Sequence, residues 1–241
     1  KTNKGLVVFD AAVEKEVARL DSPGGTSWHG LGYLDSEKEV LLTNSQSGLH
    51  VAKLPEAKSW SRTLELSPSK AQLPDAPSGA SLPMGIAVTK NRVYVALNRK
   101  NAIAELDRGL KVLRYIPVGI APYDVLVSSK GVIAVSCWSR APRSGEETST
   151  SSGTPVPVDR FGGSKEAEIR FIPPTGQTFS VPVSSQPTQL AWVNEKDLLV
   201  TCANGGTTER VRFDGPRSRR LEAVKVNGLP IDPVSNQPSS L

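Results

Sequence analysis

Side chains able to do chemistry are few and scattered in this chain of 241 residues. A zinc site wants three or four convergent N, S or O ligands, yet there are only two His, at 29 and 50, and two Cys, at 137 and 202. His29 could touch a metal or a ligand, and its plainer role is structural or solvent-facing. His50, inside a β-rich run, reads as a strand surface residue. No G-x-S-x-G occurs, and no Ser–His–Asp set stands out for nucleophilic catalysis. Gly162-Gly163-Ser164 and Gly205-Gly206-Thr207 are too short for a phosphate loop and read as turns.

The two cysteines make neither a disulfide framework nor a metal quartet. Aligning Ala134-Val135-Ser136-Cys137 on Leu199-Val200-Thr201-Cys202 puts them at the same place in two copies of one pattern. Copies one repeat apart would exceed the ~4.4–6.8 Å Cα separation that a disulfide tolerates. Two buried thiols acting as small hydrophobes are expected, with a disulfide or a reactive role as the alternatives.

The pattern itself is clearest from Leu82 to Pro122. Ile86, Val88, Val93, Val95, Ile103, Leu106, Val112 and Ile116 fall in short β-rich runs cut by turn formers at Lys90-Asn91, Asn98 to Asn101 and Asp107-Arg108-Gly109. Four strands in about 40 residues is the length of one propeller blade. Trp28, Pro83, Pro122, Pro187 and Pro238 are equivalent blade starts, and Pro83 to Pro122 is the bare repeat. The stretch Gly5 to Leu20 matches the third and fourth strands of a blade, and the chain ends on the first residues of another. Four full blades flanked by partial ones suggest a piece of a larger ring of about seven, forming a single domain over 1–241. Two segments interrupt the repeat: Ser67–Ser81, without a period of its own, and Ser139–Lys165, the longest irregular stretch. In the second, Ser/Thr/Gly content argues for mobility, while Trp138, Phe161 and Pro155 to Val158 argue that part of it packs.

Arg92-Val93-Tyr94-Val95-Ala96-Leu97-Asn98, Ala102 to Asp107 and the exit Ile116-Pro117-Val118-Gly119-Ile120-Ala121-Pro122 resemble the YVTN family of β-propeller repeats. The string Cys137-Trp138-Ser139-Arg140, followed by Thr150 to Asp159 (TSSGTPVPVD), resembles the insertion of bacterial proteins that join such a propeller to a C-terminal phosphoesterase domain. This resemblance implies an all-β propeller of four-stranded antiparallel blades. It also implies a non-catalytic recognition or scaffold part of an exported protein, periplasmic or extracellular, with any signal peptide already removed. The phosphoesterase's metal ligands and nucleophile have no counterpart here.

In a propeller, the loops from fourth to first strand and from second to third strand share one face at the channel mouth, where ligands gather. On that face the sequence places His29, Met84, Tyr123 and Thr188 at blade starts. Asn44, Asn98, Trp138 and Asn204 stand where second strands end, and Arg140 lies at the root of the insertion. The three Asn are also good turn residues, and Asp10 and Asp107 are placed to cap the turns that follow them.

With 29 Lys and Arg against 24 Asp and Glu, the net charge is +5, and only Arg217 to Arg220 is dense. That run reads as a solvated loop. Nucleic acid would want aromatic interleaving, and aromatics are 5%, so no nucleic-acid partner is expected. Twenty Gly and nineteen Pro suit a turn-dense β protein, and no apolar run could span a membrane. The expectation is a binding or scaffold module, more a non-enzyme than an enzyme, without a cofactor. It would meet a protein partner, an attached domain or a small ligand at the channel mouth. The alternative is a lactonase-like propeller hydrolase using a channel-mouth metal or His29.

Overall fold

Short runs with apolar residues at alternate positions, cut by Gly, Asn, Asp and Pro, favour strands with one face buried. The structure, a computed structural model describing residues 4–26, 29–55, 57–151 and 153–225, is built from such strands. The chain divides after Ile116 into two compact units.

In the first unit β1 (Gly5–Asp10) and β2 (Lys15–Asp21) pair as a hairpin. A four-stranded antiparallel sheet follows, made of β3 (Leu31–Leu34), β4 (Glu39–Thr43), β5 (Gly48–Lys53) and β6 (Arg62–Glu65). The next sheet is β7 (Pro83–Val88), β8 (Arg92–Leu97), β9 (Ala102–Asp107) and β10 (Val112–Pro117). Between β8 and β9 lies the one helical element among the described residues, a three-residue 3-10 turn at Asn98–Lys100.

In the second unit β11 (Ile120–Val127), β12 (Ile133–Ser139), β13 (Thr148–Ser151), β14 (Thr154–Pro157), β15 (Ala167–Ile172) and β16 (Phe179–Val183) give a sheet of order β11-β12-β15-β16, with β13-β14 as a separate hairpin. A last sheet is β17 (Pro187–Trp192), β18 (Asp197–Cys202), β19 (Thr207–Arg212) and β20 (Arg219–Lys225). Each four-stranded sheet runs in sequence order, the meander of a propeller blade. The expected all-β propeller class holds. Of the five expected blade starts, Pro83, Pro122 and Pro187 lie in β7, β11 and β17, whereas Trp28 and Pro238 fall outside the described residues.

The three proline starts share one register. Pro83 faces Leu97, Pro122 faces Cys137 and Pro187 faces Cys202. In each sheet the pairing then slips, to resume at Ile86–Val95, Val125–Val135 and Leu190–Val200. Such a bulge takes one backbone N–H out of the ladder, and a buried N–H needs an acceptor. A hydroxyl from the second strand supplies it. Asp124 N, buried, donates to Ser136 Oγ at 2.9 Å, and Gln189 N, exposed, to Thr201 Oγ1 at 3.1 Å; Gly30 N, just before the unbulged β3, makes the like bond to Thr43 Oγ1 at 3.1 Å. In the β7–β8 pair the same positions hold Gly85 and Ala96.

The same groups also tie neighbouring sheets within each unit. Thr43 Oγ1 donates onward to the Met84 carbonyl at 3.2 Å. The approach is close enough that a Cβ at Gly30 would sit 2.1 Å from that same oxygen. Asp124, buried, accepts from Val125 N at 2.9 Å and from Leu190 N, across the sheet boundary, at 3.1 Å.

Between the tied sheets lie the cores. Leu34, Leu41, Leu49, Val51, Val93, Val95 and Leu106 fill the first unit, and Ile169, Phe171, Val181, Leu198, Val200 and Val211 the second. Fully burying one such side chain contributes about 1.5–3 kcal/mol. No described helix is long and apolar enough to cross a membrane.

Both interruptions of the repeat are ordered by polar anchors. Ser67–Ser81 has no strand, yet Leu73 and Ala76 bury against Ala102. Lys100 Nζ donates to the Pro77 and Gly79 carbonyls, both at 2.7 Å. The insertion Ser139–Lys165, expected to be irregular, contains the β13–β14 hairpin, with Ser149 opposite Val156. Val156, Pro157 and Val158 are all buried. Phe161, expected to pack, is 70% exposed. The cause is local: Asp159 Oδ1 accepts from Phe161 N at 2.8 Å and Gly163 N at 3.0 Å, and this tight turn holds the ring outward. Arg219 and Arg220 likewise lie in a strand, β20, and not in the loop expected for them.

Ser136→Ala should leave the buried Asp124 N–H without an acceptor and cost about 1–3 kcal/mol of unfolding free energy. Urea denaturation should show this as a lower midpoint at unchanged slope, and an unaltered midpoint would contradict the role given to the hydroxyl.

Candidate functional site

Most of the polar side chains that the sequence places at strand ends are occupied by the fold itself. Asn44, buried, caps the β4–β5 turn: its Oδ1 accepts from Gln46 N at 3.0 Å and Gly48 N at 2.9 Å. Its amide nitrogen therefore points the other way, to Pro23 O at 2.9 Å and His50 Nε2 at 3.0 Å. Because an amide nitrogen only donates, His50 Nε2 must accept. The ring proton then sits on Nδ1, facing Thr63 Oγ1 at 2.8 Å. His50 is buried, not a strand surface residue, and Trp60 lies against its ring at 5.4 Å between centroids. Burial pushes its imidazole below the ordinary value of 6.5, partly opposed by the Pro23 carbonyl.

Arg140 is similarly committed. Its two terminal nitrogens grip the Glu146 carboxylate at 2.8 Å each, and its Nε pairs with Glu166, closing the root of the insertion. The guanidinium holds the Glu146 carboxyl down at about 2. That contribution is present above the ordinary 4.5 and is lost as pH falls toward 2.

Tyr123 and Trp138, on facing ends of β11 and β12, stack with centroids 4.8 Å apart and planes 21° apart. Burial raises the Tyr123 phenol, and Trp138 Nε1 is a buried donor without a hydrogen-bond partner among the described residues. Met84 is buried and Asn98 completely so, the latter's backbone N donating to Leu82 O at 3.1 Å. Thr188 Oγ1 meets Thr201 Oγ1 at 3.0 Å. His29 is half-buried beside Gly30. Cys137 and Cys202 are buried free thiols, and burial pushes both up, Cys202 to about 12, so neither is a thiolate at neutral pH. Among the described residues no three His, Cys, Asp or Glu side chains come together as a metal site would require.

One place brings several loops together around open space. The insertion hairpin (Ser149, Thr150, Ser151, Val156), the turn at Phe161 to Ser164, Gln186 before β17 and Asn204 after β18 line a cleft of about 260 Å³. These are second-to-third and fourth-to-first strand loops, the two kinds expected to share a face. Of the nine sequence candidates, Asn204 alone lines it. Its Oδ1 is buried and accepts no hydrogen bond among the described residues. The Ser149, Thr150, Ser151, Ser164 and Gln186 contributions escape sequence reasoning. The available signal was the Ser-Gly break between the two runs at Thr148–Ser151 and Thr154–Pro157, which reads as a hairpin.

Neither a protein-family model nor a curated protein matches this sequence. Solved structures match by fold. U3-55K shares 11% identity over 98% of this chain and 63% of its own, with a TM-score of 0.63. A protein of unknown function from Bacteroides caccae shares 16% over 94% and 70%, with a TM-score of 0.58. The gluconolactonase XC5397 from Xanthomonas campestris shares 16% over 83% and 62%, with a TM-score of 0.52. At such identities the likeness is one of fold, the β-propeller. It shows neither the YVTN family nor a fusion partner, and fold alone does not carry function.

The His50 assignment can be tested by nitrogen-15 NMR. The ring should show the Nδ1–H tautomer and titrate with a midpoint below 6.5. Above that pH folded and unfolded chains are both neutral and the full stability is present. Below it the unfolded chain takes up the proton first, so stability should decline. A midpoint at or above 6.5 would contradict the network.

Proposed function

We propose that this chain is a non-catalytic binding module that recognises a ligand in the cleft beneath the insertion hairpin. The observation carrying this reading is Asn204. It stands in the wall of a cleft built by loops from two blades, where the second-to-third and fourth-to-first strand connections meet. The other polar candidates support the reading by being engaged elsewhere: Asn44 with a turn and an imidazole, Arg140 with two carboxylates, Thr188 with Thr201.

The insertion's resemblance adds a protein partner or an attached C-terminal domain, and a periplasmic or extracellular setting, as parts of the same proposal. The lactonase-like reading has less behind it. The likeness to a gluconolactonase is one of fold, and the acidic and His side chains of the described residues do not converge.

A thermal-shift screen of soluble sugars, nucleotides and short peptides tests the binding reading. A ligand at 100 times its Kd should add about 2.7 kcal/mol to stability, and Asn204→Leu, which fills the cleft wall with an apolar branch, should abolish the shift. Turnover of lactones by the purified protein with added divalent cations would instead favour the hydrolase.

A further inference from the structure

The lining of the hairpin cleft is selective in its chemistry. Residues of this chain are 22% charged, yet no side chain around the cleft is charged: the wall is Ser, Thr, Gln, Asn, Val, Gly and a single Phe. A phosphate, carboxylate or ammonium group entering it would give up hydration without a counter-charge. A wholly apolar ligand would strand the hydroxyls and amides. The lining instead suits a neutral molecule carrying many hydroxyls and one apolar face.

Two particular features sharpen this. Phe161 is a large aromatic held 70% exposed at the cleft rim by the Asp159 turn. The Arg160 guanidinium sits 4.6 Å over its ring without lining the cleft. Opposite in chemistry is the Asn204 side chain, an amide that can both donate and accept, in the wall of the same cleft.

We infer that the cleft holds one ring of a neutral oligosaccharide. A pyranose presents a C–H face that can lie on Phe161 and a rim of O–H groups, each both donor and acceptor. These meet the hydroxyls of Ser149 and Ser151, which share a face of the hairpin with the cleft residue Val156, and the amide of Asn204 in the opposite wall. A volume of about 260 Å³ is small for a ligand pocket, so a single ring is seated while the rest of the chain runs out over the open side. A nucleotide would want cations at its phosphates, and a peptide would want a free strand edge or an apolar pocket. This inference rests on the cleft being the binding site and adds the class of ligand.

Isothermal titration of the full chain with cellotetraose, mannotetraose, maltotetraose and laminaritetraose, and with tetragalacturonate as the charged control, tests it. At least one neutral tetrasaccharide should bind, and Phe161→Ala and Asn204→Leu should each weaken it about tenfold or more, with Phe161→Trp retaining it. Phe161 is exposed, so circular dichroism of Phe161→Ala should match the parent.

Three results would overturn the inference: no binding of any neutral tetrasaccharide, binding indifferent to Phe161→Ala, or salt-sensitive binding of tetragalacturonate alone. If the thermal-shift screen finds a non-sugar ligand whose effect vanishes in Asn204→Leu, the cleft stands as the binding site and the sugar assignment falls. If Asn204→Leu changes nothing, both fall.

Discussion

A backbone N–H pulled out of its ladder must find another acceptor, and this one requirement shapes every blade start with a hydroxyl beside it. The first strand advances three residues while the second advances two, and the leftover amide turns to Ser136 or Thr201, as the Gly30 amide beside β3 turns to Thr43. Close approach of neighbouring sheets within a unit follows from the same geometry, through Thr43 to Met84 and through Asp124 to Leu190. The apolar clusters then fill the space those ties define.

That economy bears on where recognition can occur. Polar residues at strand ends would make a ligand site only if they had capacity to spare, and most do not. Asn44 uses both of its amide atoms, and Arg140 uses all three of its guanidinium nitrogens. The insertion is different because its hairpin hydrogen-bonds to itself and sets Ser149 and Ser151 in the wall of a cleft. A loop that supplies its own secondary structure can be carried by a rigid scaffold without drawing on the scaffold's polar groups.

The strands were legible because alternation and turn residues speak locally. Pro83, Pro122 and Pro187 each mark a first strand, and the match of Cys137 with Cys202 reappears as their shared pairing opposite a proline. What sequence could not give was burial set by distant partners. His50 sits in an alternating run that looks solvent-facing on one side, but Trp60 and Asn44 close over it. Phe161 looks like packing material, and a carboxylate two residues earlier turns it out. Asn204 was placed at the end of a second strand by repeat phase alone. That it shares a cleft with the insertion hairpin of another blade is something no local pattern encodes.

Hydrogen exchange followed residue by residue tests the bulge account most directly. The amides of Asp124 and Leu190, one bound to the Ser136 hydroxyl and the other to the Asp124 carboxylate, should exchange as slowly as the ladder amides of β12, because they open only when the sheet does. Exchange of these two at the rate of exposed loop amides, with β12 still protected, would contradict it.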